Sequence, residues 1–197
     1  MKSYCLVLAC LVLSACGATS ERTGSEPVVP ERTAPHASTS KGQAVTFPAA
    51  DGIRLAGRTF GEGRVGVVMA HMDQSGDTQA DWYPLARVLA ARGYAVLTYN
   101  RRGVCTARGR DCSNGSDEYA SSWKDVAGAS AFVRSRGATR VALVGASIGA
   151  MSALHARITQ QVDADALIEI GGVNHASGYD FSRKQLNRLD GAKLFIS

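Results

Sequence analysis

The segment RVALVGASIGAMSALHARI, residues 140–158, sets one serine between two glycines, Gly145-x-Ser147-x-Gly149, where an apolar run gives way to helical spacing. A chain that passes directly from a buried strand into a helix has to turn sharply, and neighbours without bulk let it do so. The residue at the tip then stands clear of the sheet. Its hydroxyl sits at the N-terminal end of the helix, whose free amides favour developing negative charge. That is the setting of a nucleophile that attacks a carbonyl. The bare pattern is permissive in a chain with 21 glycines, and a serine that only caps the helix is the competing reading.

A nucleophilic serine needs a base, and the base needs an acid to orient it. Of the four histidines, His36 lies in a polar N-terminal stretch and His71 comes before the serine. His155 lies two turns into the helix that leads away from the turn, and reads as a packed or exposed helix residue. His175, in GGVNHASG, follows a strand at the correct edge of the sheet and reads more readily as pocket-lining than as a base. Asp163 and Asp165 precede their strand and so belong to the opposite edge, while Asp180 is far into a loop.

Holding such a serine requires alternating strands and helices, and the chain supplies them from residue 44 onward. AVTF and IRLAGRTF flank the turn signal Asp51-Gly52 and predict an antiparallel hairpin. VGVVMA (65–70) is apolar throughout, as in a strand covered on both faces. A helix follows over 81–93, with Leu85, Val88 and Leu89 at helical spacing and Gly93 as its stop. Then come a strand over 94–99, a helix over 120–137, the strand 140–145, the helix from Ile148, a strand within 164–172, a short helical segment over 181–190 and a last strand over 192–197. A hairpin followed by alternation predicts an α/β fold whose sheet is parallel after its opening strands.

On these residues the chain resembles the α/β-hydrolase superfamily from about Val45 to Ser197. VMAHMDQSGDTQADWYPLARVLAARGYAVLTYNRRG is similar to the family's third strand, oxyanion loop, first helix and fourth strand. The loop opens His71-Met72-Asp73, where relatives often carry His-Gly-x, and His71 resembles a loop histidine that is mostly structural. The resemblance implies oxyanion donors at the backbone amides of Asp73, with Met72 the lesser alternative, and of Ile148. It also places the acid after the last strand and the histidine later still. The expectation is therefore a hydrolase domain, 44–197, whose C-terminal strand and helix are missing. Without a large cap insertion, the implied groups are those resembling dienelactone hydrolase or prolyl oligopeptidase. The implied substrate is a small-molecule carboxylic ester, with neither metal nor organic cofactor.

The N-terminus carries a second expectation. MKSYCLVLACLVLSAC joins a lysine to an apolar run too short to span a bilayer and ends in small residues, the form of a secretory signal. Leu13-Ser14-Ala15-Cys16 resembles the bacterial lipobox, which implies removal of residues 1–15 and a diacylated Cys16 that anchors the protein to a membrane outside the cytoplasm. A plain secreted protein is the alternative. Residues 16–43, rich in Ser, Thr, Pro and Glu, then predict a disordered tether. Of five cysteines, Cys105 and Cys112 remain as a pair that an oxidising compartment would join, two free thiols being the other reading. The segment between them offers no zinc pattern. A net charge of +5 spread over 22 scattered Lys and Arg forms no basic stripe, which argues against nucleic-acid binding. A non-catalytic lipoprotein that uses this fold as a binding module stands beside the enzyme as the rival reading.

Overall fold

The computed structural model describes residues 41–106 and 109–197. Cys16, the leader over 1–15 and all but the last three residues of the expected tether lie outside the described residues.

The predicted hairpin is formed by β1 (Gln43–Pro48) and β2 (Arg54–Phe60), paired antiparallel from Gln43↔Thr59 to Pro48↔Arg54. Next come β3 (Val65–Ala70), α1 (Tyr83–Ala91), β4 (Ala95–Tyr99), α2 (Trp123–Ser135), β5 (Arg140–Ala146), α3 (Ile148–Ile158) and β6 (Ala166–Ile170). Two short strands, β7 (His175–Ala176) and β8 (Tyr179–Asp180), precede α4 (Arg183–Leu186) and β9 (Ala192–Ile196). The main sheet has seven strands in the order β1-β2-β4-β3-β5-β6-β9. β2 meets β4 antiparallel, and every pairing from β4 to β9 is parallel. All parallel strands therefore end at one edge, the edge that carries Ser147.

The apolar runs follow from burial on both faces. Val68, Leu97, Leu143 and Leu167 pack beneath α2 and α3, whereas Val67, Met69, Val96 and Val144 pack beneath α1. Successive residues of β3 thus alternate between two cores, and each must be apolar.

Three local expectations are corrected. The first helix opens with a 3₁₀ turn at Gln79–Trp82, capped by Thr78 and Asp81, before α1 begins. Leu85 and Val88 are exposed, and α1 buries Ala86 and Ala90 instead, small residues that let its backbone lie close to the chain at Gly61. The helix expected over 181–190 is the single turn α4. The loop after β6 contains an unexpected hairpin, β7–β8, whose Ser177-Gly178 turn has positive φ at both residues (55° and 85°), as a two-residue hairpin turn requires.

Candidate active site

Ser147 has φ 49° and ψ −115°, a left-handed conformation that a residue with a Cβ adopts only when its surroundings force it. Both flanking glycines show the forcing. A Cβ on Gly145 would stand 2.3 Å from the Gly149 carbonyl oxygen, and one on Gly149 would stand 2.3 Å from the Ala70 carbonyl oxygen. The start of α3 is thus pressed against the end of β5 on one side and the end of β3 on the other. The Ser147 amide donates to the Ile170 carbonyl at 2.8 Å, which pins the turn to β6. Ser147 is exposed while residues 143–146 and 148–150 are all buried.

These facts argue against a capping serine. A capping serine has extended backbone and turns its oxygen back onto the helix amides. Ser147 has neither feature, and its side chain makes no capping hydrogen bond. The amide of Ile148, first in α3, has no acceptor inside the helix because the first N–H groups of a helix project from its end.

The loop after β3 lies opposite. His71 is 1% exposed; its Nδ1 contacts the Met72 carbonyl at 2.6 Å, and its Nε2 accepts the Arg101 amide at 3.2 Å. The ring therefore carries its proton on Nδ1. Burial and the neighbouring Arg101 charge lower its pKa to about 4. With both nitrogens occupied by backbone groups, His71 orients the loop. Asp73 turns its carboxylate onto Arg101 Nη2 at 2.9 Å and accepts the Tyr119 hydroxyl. Among the described residues, the amides of Met72 and Asp73 make no backbone hydrogen bond.

Beside the turn lies a mainly apolar cavity of about 250 Å³, lined by His71, Met72, Asp77, Asp81, Trp82, Ala146 and Ile170. Both carboxylates are already engaged, Asp77 by the Gln74 amide and Asp81 by the Thr78 amide.

The remaining sequence candidates are dispersed. His155 packs against Trp123, Tyr179 and Phe181, roughly 12 Å along α3 from Ser147 at 1.5 Å per residue. His175 is 81% exposed on β7 and lies 3.5 Å from Asp180; it lines no part of the cavity beside the turn. Asp163 pairs with Arg134, and Asp165 accepts the Val141 amide at the start of β5, at the opposite edge as expected. No described histidine is engaged with Ser147. Cys105 and Cys112 are joined, with their Cα atoms 4.0 Å apart. Among the described residues, no cluster of His, Cys, Asp or Glu could hold a metal ion.

Sequence reasoning missed Arg101 and Glu169. Arg101 was visible only as half of an adjacent arginine pair, and nothing in that pair says that one member reaches back to residue 73. Glu169 alternates with Ile168 and Ile170 on β6 as a solvent-facing residue would, yet it is 6% exposed, beneath α3, and its Oε1 has no partner. Burial raises its pKa to about 7.

Comparison with known proteins follows the same outline. No curated protein sequence matches the chain. Among solved structures, an epoxide hydrolase from Vigna radiata superposes with a TM-score of 0.54 at 19% identity, covering 68% of this chain and 39% of its own. The Pyrococcus furiosus esterase Pf2001 superposes with a TM-score of 0.55 at 17% identity, covering 71% of this chain and 56% of its own. The chain thus spans little more than half the length of these neighbours, or less. The model of the alpha/beta hydrolase family matches residues 67–192, from β3 through the serine turn to the start of β9. The chain belongs to the alpha/beta hydrolase family.

Proposed function

We propose that this protein is a serine hydrolase acting on small carboxylic esters, with Ser147 as nucleophile. The observation that carries the reading is the exposed, uncapped serine at φ 49° between two glycines that tolerate no side chain. In this reading Ser147 Oγ attacks the ester carbonyl and gives up its proton to a base, which none of the described histidines supplies and which passes the proton on to the departing alcohol. The amides of Asp73 and Ile148 hold the tetrahedral oxyanion, the alcohol leaves, and water then hydrolyses the acyl-serine. The 250 Å³ cavity beside Ala146 and Ile170 is of a size and polarity to hold a short acyl chain. Chemistry favours acyl transfer over epoxide opening, although both occur among the names of structural neighbours. A serine that opened an epoxide would be left as an alkyl ether, which water does not cleave, whereas an acyl-serine turns over.

A phosphonate probe that modifies activated serines tests this. The expected result is a mass increment on the peptide containing Ser147, absent from Ser147→Ala, with p-nitrophenyl acetate turnover lost in parallel. Equal labelling of both proteins would end the proposal. A second reading, a binding module on the same fold, is favoured by one observation: none of the described histidines is presented to Ser147. Complete absence of labelling in the wild type would support it.

We further propose that the chain is exported and lipid-anchored through Cys16. The Leu-Ser-Ala-Cys sequence supports this, and the Cys105–Cys112 bond fits an oxidising compartment. No described helix is long and apolar enough to cross a membrane.

A further inference from the structure

The residue proposed to donate its amide to the oxyanion also carries a carboxylate. A free negative charge on Asp73 would oppose the charge that its own amide is meant to stabilise. We infer that Arg101 is a positioning residue that removes this conflict by drawing the Asp73 carboxylate out of the site and neutralising it; the inference rests on the serine-hydrolase reading.

The geometry is specific. Arg101 lies in the turn just after β4, and its side chain is 1% exposed, against 34% for each of its two carboxylate partners. Nη2 reaches Asp73 Oδ1 at 2.9 Å, and Nη1 reaches Asp117 Oδ1 at 2.9 Å. The Tyr119 hydroxyl donates to the other oxygen of Asp73, and the Tyr119 ring lies 5.3 Å from the guanidinium carbon. Both carboxylate oxygens of Asp73 are therefore held. The backbone of the same arginine donates to His71 Nε2, and His71 in turn meets the Met72 carbonyl, so residue 101 is tied to all three residues of the loop that opens at His71.

A planar guanidinium can serve Asp73 and Asp117 at once from a fixed position; a lysine presents a single point charge and would serve one well. Asp117 is the second carboxylate that holds Arg101 in this position. The arrangement also explains how an aspartate is tolerated in a loop whose amides must face an anion.

The test is a double-mutant cycle read by the rate at which the phosphonate probe modifies Ser147. Arg101→Met keeps the aliphatic length and removes the charge. It is expected to slow labelling on the order of 10- to 100-fold, less than or comparable to losing one oxyanion donor. In the D73N background the same change should cost about 3-fold or less, because the carboxylate on the donor residue itself is gone and only Asp117, which Arg101 also holds, is left unpaired. An equal loss in both backgrounds would show that Arg101 only packs, and would overturn the inference, as would no loss at all. Thermal melting of each variant identifies any that fails to fold. Should R101M fail, Tyr119→Phe replaces it: the more exposed phenol removes one of Asp73's two partners, and a roughly 3-fold slowing that D73N abolishes is expected, while slowing that D73N leaves intact counts against the inference. Absence of Ser147 labelling in the wild type overturns the hydrolase reading and this inference with it. Normal wild-type labelling that R101M leaves untouched overturns this inference alone.

Discussion

At the scale of single residues, the described part of the molecule tolerates buried Arg101, Arg102, Asp125 and Glu169 in different ways. Arg102 is 3% exposed but binds the fully buried Asp125 through its amide and two side-chain nitrogens, and Asp51 through the rest of its guanidinium. Arg101 is shared between Asp73 and Asp117. Glu169 has no such partner on Oε1, and it responds by holding its proton. Its pKa rises from the ordinary 4.5 to about 7, so between those pH values the unfolded chain loses a proton that the folded chain keeps. Folding is then favoured less as pH rises through that window, and the stability present below pH 4.5 is gone above about 7. The loss amounts to roughly 3 kcal/mol at 1.36 kcal/mol per unit. Glu169→Gln carries no such penalty. Urea unfolding at pH 4.5 and pH 8 should show the stability of the variant relative to wild type increasing by about that amount at the higher pH; a constant difference would mean that the carboxylate ionises freely in the folded protein.

At the scale of elements, the turn between β5 and α3 is held by backbone on three sides: Gly149 at its base, Ala70 from β3 and Ile170 from β6. Its strain is stored where three elements over-determine one residue, and the requirement for glycine lies in the neighbouring strand as much as in the turn itself. Gly149→Ala therefore has to push α3 away from β3. A loss of about 1–3 kcal/mol is expected from the overpacking, together with a fall in Ser147 labelling larger than the stability loss explains. Thermal melting and probe kinetics on the same preparation check both, and an unchanged labelling rate would show that the serine does not depend on this contact. The gain in helix propensity from alanine acts in the opposite direction and is smaller, under about 1 kcal/mol.

At the scale of the whole molecule, five parallel strands deliver their carboxyl ends to one edge, and the loops after β3, β4 and β5 converge there. That edge holds Ser147, the His71–Asp73 loop and Arg101. The last strand, β9, is exposed at every residue, with Leu194, Phe195 and Ile196 about half accessible. The proposed attachment to a membrane is argued from Cys16, 25 residues before the first described residue. Expressed in a bacterium, the protein should partition with membranes and carry an acyl mass increment, and Cys16→Ser should move it to the soluble fraction. Unchanged fractionation would refute the lipid anchor and leave the proposed hydrolase chemistry untouched.

Periodicity, turn residues and glycine placement alone determined most of the fold. The strand and helix order from residue 44 and the hairpin follow from interactions within a few residues, which a sequence displays directly, and the Gly145-Ser147-Gly149 spacing marks where the turn falls. The sequence could not exclude a capping serine at 147, since the backbone angle that does so is imposed by Ala70 and Ile170 from distant strands. Tertiary structure also decided that Ala86 and Ala90 rather than Leu85 and Val88 face the sheet, that His71 is neutral with both nitrogens engaged, and that Asp73 is pulled aside by Arg101. Each of these depends on which groups separated by tens of residues come to share one buried space, where desolvation and pairing outweigh local preference.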